Sequence, residues 1–153
     1  MKVTVLVGSK SDLESAEKVK ARLAEFDVPC EVHVASAHRT PEKVDRLAQD
    51  PGTDVFIAMA GLSAALPGTV AARTLKPVIG VPLLGKGLGL DSLLSVVQMP
   101  PGVPVATVGL DNTDNAALLA VHILALKYPE LNDRLLRYRA RWREESPPSG
   151  ARP

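Results

Sequence analysis

The apolar positions along the chain fall into short runs and helical stripes that alternate. Residues 3–7 are a β-branched run that stops at Gly8, as in a strand buried on both faces. Ser11-Asp12-Leu13-Glu14 has the form of a capping box. Leu13, Ala16, Val19, Leu23 and Phe26 then recur at helical spacing up to a stop at Asp27-Val28-Pro29. A second strand is expected over 31–35. Thr40-Pro41 resembles an N-cap followed by proline at the first helical position, with Val44, Leu47 and Ala48 as the inner face. A third strand is expected over 54–60, a helix from near Pro67 to about Thr74, a short fourth strand over 78–81 and a helix over 91–98. A fifth strand is expected over 103–109, followed by a helix over 115–126 capped by Asp114.

Strand-then-helix units repeated in this way imply a parallel sheet covered on both faces. Right-handed crossovers make it an α/β three-layer α/β/α sandwich, flavodoxin-like or Rossmann-like, of about five strands. Residues 1–145 read as a single catalytic domain. Residues 146–153, rich in Pro, Ser and Gly, read as a disordered tail. An extra C-terminal helix follows Pro129, with Leu131, Leu135, Tyr138 and Trp142 as an apolar stripe beside Arg134, Arg137, Arg139, Arg141 and Arg143. A neighbouring subunit is the favoured cover for that stripe; folding back on its own domain is the alternative.

Composition narrows the class. Of the 153 residues, 46% are hydrophobic but only 3% aromatic, so Ala, Val and Leu fill the core. A formal net charge of +1 argues neither for nucleic acid nor for an anionic membrane surface, and neither is expected as a partner. Cys30 is the single cysteine, which excludes an internal disulfide and suits a reducing compartment. With no signal-like start and no apolar run near the ~20 residues of a membrane span, the expected location is cytoplasmic.

In such sheets ligands bind beyond the carboxyl ends of the strands, so the loops after the first three strands hold the candidate chemistry. In Gly8-Ser9-Lys10-Ser11-Asp12, Gly8 permits a tight turn, Ser9 and Ser11 offer hydroxyls to phosphate, and Asp12 can accept from ribose hydroxyls. A capped strand-to-helix turn is the plainer reading. In the second loop, Arg39 is suited to clamp a phosphate and His38 to move protons near neutral pH, although histidines are more often structural. The third loop, from Ala60-Gly61 to Leu66-Pro67-Gly68, is small and nearly uncharged, as suits a flat heterocycle or simply a tight connection. His33 and His122 read as structural. No pair of His, Cys or carboxylate residues has a metal-ligand spacing, so no metal is expected.

Gly8-Ser9-Lys10-Ser11-Asp12, Ser36-Ala37-His38-Arg39-Thr40-Pro41, Ala60-Gly61 with Leu66-Pro67-Gly68, residues 91–100 and residues 115–120 stand in one order along the chain. In these motifs the chain, from about Val3 to Trp142, resembles the N5-carboxyaminoimidazole ribonucleotide mutases and the related aminoimidazole ribonucleotide carboxylases of purine biosynthesis. The resemblance implies a homo-octamer of flavodoxin-like subunits with active sites at subunit junctions and no cofactor. It implies that Ser9, Asp12 and Arg39 hold the ribose-phosphate, and Ser11 of the same loop is expected to bind substrate with them. His38 would be the general acid/base, with Ser36 in its loop, and Ala60, Gly61 and Leu66 would cover the base. The mutase moves carbon dioxide from the exocyclic nitrogen to ring carbon C4; the carboxylase adds carbon dioxide directly.

The third loop departs from the pattern. Ala65 stands where bacterial mutases usually have histidine before Leu-Pro-Gly, and Ser63 with Ala65-Leu66 leans toward the carboxylases. His38-Arg39 and Gln98-Met99-Pro100 have the mutase form. The mutase is therefore expected, with direct carboxylation as the alternative. A non-catalytic nucleotide-binding module is a more distant rival. A phospho-receiver would need a carboxylate where Ala60 and Gly61 stand, and a flavin carrier would need aromatic loops.

Overall fold

A computed structural model describes residues 1–85 and 87–145; the expected tail at 146–153 lies outside the described residues. Five strands, β1 (Val3–Val7), β2 (Cys30–Val34), β3 (Val55–Ala60), β4 (Val78–Pro82) and β5 (Ala106–Thr107), form one parallel sheet in the order β2-β1-β3-β4-β5. That order is the flavodoxin-like one, with its topological switch between β1 and β3. β1 and β3 are buried along their whole length, which is why they appear in the sequence as unbroken apolar runs.

Six α-helices among the described residues cover the two faces. Val3, Val5, Val7, Ile57 and Met59 point to one side, where α1 (Leu13–Ala24), α5 (Thr113–Ala125) and α6 (Glu130–Glu145) pack. Leu6, Phe56, Ala58 and Ala60 point to the other, against α2 (Pro41–Ala48), α3 (Leu66–Ala71) and α4 (Leu90–Val97). The alternation is the period-two pleat of a strand read from both sides. The apolar stripe expected for α1 is buried at Ala16, Val19, Leu23 and Phe26.

Several local expectations are corrected. Ser9, not Ser11, opens the first helical turn: residues Lys10–Asp12 form a 3-10 turn ahead of α1, and the Asp12 carboxylate reaches back to the Ser9 N–H at 3.1 Å. Asn112, not Asp114, caps α5, its side-chain oxygen accepting from the Asn115 N–H at 3.0 Å. Asp114 is spent instead on Arg22 of α1. The expected strand over 103–109 shrinks to two residues, because Pro104 has no N–H for the ladder and β5 lies at the sheet edge. α3 ends at Ala71, short of Thr74.

The stripe of α6 turns inward. Leu131, Leu135 and Tyr138 are buried in the same cluster as α1 and α5, and the Tyr138 ring lies 5.6 Å from that of Phe26. Arg134 ties the helix down by donating to the Phe26 carbonyl and pairing with Asp27. The chain itself thus supplies the cover that was assigned to a neighbouring subunit. Trp142, which is 58% exposed, is the member of the stripe left outside.

Candidate active site

Three loops leave the carboxyl ends of β1, β2 and β3 side by side, because the sheet order places β1 between the other two. They enclose a cleft of about 540 Å³ at the switch point, within the range that holds a small ligand. The residues expected to bind or act line it: Ser9, Ser11 and Asp12 from the first loop, Ser36, His38 and Arg39 from the second, Ala60, Gly61 and Leu66 from the third.

The first loop is a knot of short polar contacts. Asp12 Oδ2 accepts from both the Ser9 N–H and the Ser9 hydroxyl at 3.1 Å, while the Ser11 hydroxyl donates to Asp12 Oδ1 at 3.0 Å. The two serine hydroxyls also touch each other. Asp12 therefore organises the loop at the start of the turn that feeds α1, where the helix's positive end favours an anion. Gly8 does not adopt a left-handed conformation, and a Cβ there would meet only ordinary contact at 3.9 Å from Asp12 Oδ2. The tight turn ascribed to Gly8 is therefore not what its position requires.

Arg39 joins the first two loops. Its Nη2 donates to the Gly8 carbonyl at 2.8 Å, and its backbone N–H and Nε donate to Ser36 Oγ at 3.2 and 3.4 Å. A guanidinium has five donors in a fixed fork, so these side-chain contacts leave others for an incoming anion. His38 is exposed in the same turn, on the rim of the cleft. Beneath it, Lys43 donates to the Val34 carbonyl at 2.7 Å and pins the end of β2.

The third loop has its own signature. Leu62 and Ala64 take positive φ angles of 52° and 32°, a conformation that costs side-chain-bearing residues energy and that tends to cluster at functional sites. Gly61 is constrained differently: a Cβ there would lie 3.3 Å from the Leu83 carbonyl oxygen, a tight contact where the loops after β3 and β4 pass closely. Ala65 places only a methyl at the N-cap of α3 on the cleft wall. Gly85, from the loop after β4, also lines the cleft and was not anticipated. The signal was available, since that loop too leaves a carboxyl end, next to β3.

Neither remaining histidine belongs to the cleft. His33 on β2 faces Glu31, and His122 on α5 contacts the Leu118 carbonyl through Nδ1 and Arg139 through Nε2. Among the described residues, no group of three or more His, Cys, Asp or Glu side chains is placed to hold a metal ion. No helix is long and apolar enough to cross a membrane, again among the described residues.

The family model described as AIR carboxylase matches residues 2–145. The N5-carboxyaminoimidazole ribonucleotide mutase of Methanocaldococcus jannaschii is 54% identical over 143 residues, covering 94% of this chain and 91% of that protein. The protein of the same name from Mycobacterium tuberculosis (strain H37Rv) is 53% identical over 144 residues, covering 92% and 83%. The crystal structure of Treponema denticola PurE is similar with a TM-score of 0.82 at 29% identity, covering 94% of this chain and 92% of that one. With one family model spanning nearly the whole described chain, and relatives above half identity across it, the chain belongs to the AIR carboxylase family.

Proposed function

We propose that this chain is an N5-carboxyaminoimidazole ribonucleotide mutase, an isomerase of purine biosynthesis. The observation that carries the reading is the meeting of His38 and Arg39 with Ser9 and Asp12 in one cleft, in a chain more than half identical to proteins of that name. Arg39 and the serine hydroxyls hold the phosphate, and Asp12 accepts from the ribose. The small third loop lies flat against the imidazole through Ala60, Gly61 and Leu66.

The reaction then needs one proton carrier. The carbamate C–N bond breaks, its electron pair returns to the exocyclic nitrogen, and protonated His38 supplies the proton that nitrogen takes up. Carbon dioxide stays in the closed site, and C4 attacks it to form the new C–C bond. Neutral His38 removes the C4 hydrogen, which restores aromaticity and returns the histidine to its starting state. Acid/base help of this kind is worth about 10²–10⁴-fold, and trapping carbon dioxide beside C4 adds the advantage of proximity. Protons balance over the cycle, so no cofactor is called for.

The assembly that fits is a cytoplasmic homo-octamer with sites at subunit junctions. Its support is the apolar face of α4, where Leu90, Leu94 and Val97 stand exposed together with Leu88, near the Gly85 edge of the cleft. Direct carboxylation of aminoimidazole ribonucleotide is the second reading, favoured by Ser63 and Ala65 in the cleft wall. The test of the proton carrier is His38→Asn, which keeps the side chain's size and polarity. Turnover should fall by at least about a hundredfold while binding of the ribonucleotide product, followed by calorimetry, is retained. Survival of activity in that variant would overturn the mechanism.

A further inference from the structure

Thr40 stands at the N-cap of α2, where a hydroxyl ordinarily accepts from an amide of the first helical turn. Here it points the other way. The Ser36 N–H donates to Thr40 Oγ1 at 2.9 Å, and the Thr40 hydroxyl donates to the Ser36 carbonyl at 3.3 Å. The Thr40 N–H reaches the same carbonyl at 3.0 Å. The amides of Lys43 and Val44 in the first turn of α2 donate instead to the Thr40 backbone carbonyl, at 3.1 and 3.2 Å. The side chain is thus committed to closing the turn formed by Ala37, His38 and Arg39.

The contacts continue outward from Ser36. Its hydroxyl accepts from Arg39 at the backbone and at Nε, and Arg39 Nη2 donates to the Gly8 carbonyl of the first loop. A hydroxyl outside the cleft lining is thus linked, through one serine and one arginine, to the two loops that form the polar half of the site. We infer that Thr40 is a positioning residue for the proposed reaction: it fixes the turn that presents His38 and sets the Arg39 bridge to Gly8. This rests on the mutase reading for its kinetic consequence, though not for its structural one.

The test compares Thr40→Val, Thr40→Ala and Thr40→Ser in the full chain. Valine keeps the β-branched shape and removes both side-chain hydrogen bonds; serine restores the hydroxyl. With the carbamate substrate, Thr40→Val and Thr40→Ala should lose about tenfold in kcat, with a smaller change in KM, and Thr40→Ser should stay within about threefold of the wild type. A helix-capping role alone would lower melting temperature and leave kcat per folded molecule unchanged. Amide hydrogen exchange gives a readout free of any assumed substrate. The Ser36 amide should be protected in the wild type and in Thr40→Ser, and should exchange about tenfold faster in Thr40→Val. Wild-type kcat in Thr40→Val, a loss in Thr40→Ser as large as in Thr40→Val, or an unprotected Ser36 amide in the wild type would each overturn the inference. If the wild type fails to convert the carbamate, the mutase reading falls by itself, and Ser36 exchange alone decides the role of Thr40.

Discussion

At the scale of single residues, position decides which reactive groups are available. Cys30 begins β2 beside Val3, half-buried, and burial pushes its thiol up to about 11, with Lys20 opposing and Glu17 and Glu31 reinforcing the shift. A thiol reacts as its thiolate, and an unperturbed cysteine titrates near 8.5, so Cys30 should be alkylated about a hundredfold more slowly than a free cysteine at pH 8. Its iodoacetamide rate should climb with pH toward a midpoint of about 11; a midpoint near 8.5 would show that the strand does not bury it. His38, by contrast, stands exposed at the cleft rim. The residues that line the cleft were readable from sequence because they stand at, or in the loops beyond, the ends of strands that the apolar pattern marks. The direction of the Thr40 hydroxyl was not, since a threonine before a helix can serve forward to the helix or back to the preceding loop with the same local sequence.

Among the elements, β4 shows how closely the helices sit on the sheet. A Cβ on Gly80 would overlap Val96 Cγ1 of α4 and lie 2.8 Å from Val105 Cγ1, so the strand has room for glycine only. Gly80→Ala should cost about 1–3 kcal/mol in urea unfolding, because α4 must shift or the side chains must leave their rotamers. An unchanged unfolding midpoint would mean that α4 is not seated on β4 as described. The strands buried on both faces, β1 and β3, were legible because such burial demands continuous apolar runs. β5 was overdrawn because a Val-rich stretch looks the same at an edge as in the centre, and only pairing shows that its ladder holds two residues. The stripe of α6 was legible as apolar, but an apolar stripe carries no mark of whether its own chain or another covers it; the answer came from Phe26 and Tyr138 in contact.

The whole molecule is organised as two ends of one sheet. Loops at the carboxyl end carry the cleft, and the amino end is held by charge pairs around Lys2, with Asp50 at 2.8 Å and Glu31 at 3.2 Å. Lys2 foremost, aided by Thr53 and the Gly52 N–H, holds the Asp50 carboxyl well below the usual carboxylate range. Two of the four non-glycine residues with positive φ among the described residues, Leu62 and Ala64, stand in the cleft wall; the others, Asp27 and Asp111, lie outside it. The source of the carboxyl group separates the two proposed readings: the N5-carbamate for the mutase, carbon dioxide for the direct carboxylase. That choice is tested by giving the purified full chain, without ATP, either the N5-carbamate or aminoimidazole ribonucleotide with bicarbonate, and following the C4-carboxylated product. Efficient conversion of the carbamate, with slow turnover of the second pair at modest bicarbonate, is the predicted result; comparable or faster turnover with bicarbonate would make the protein a direct carboxylase.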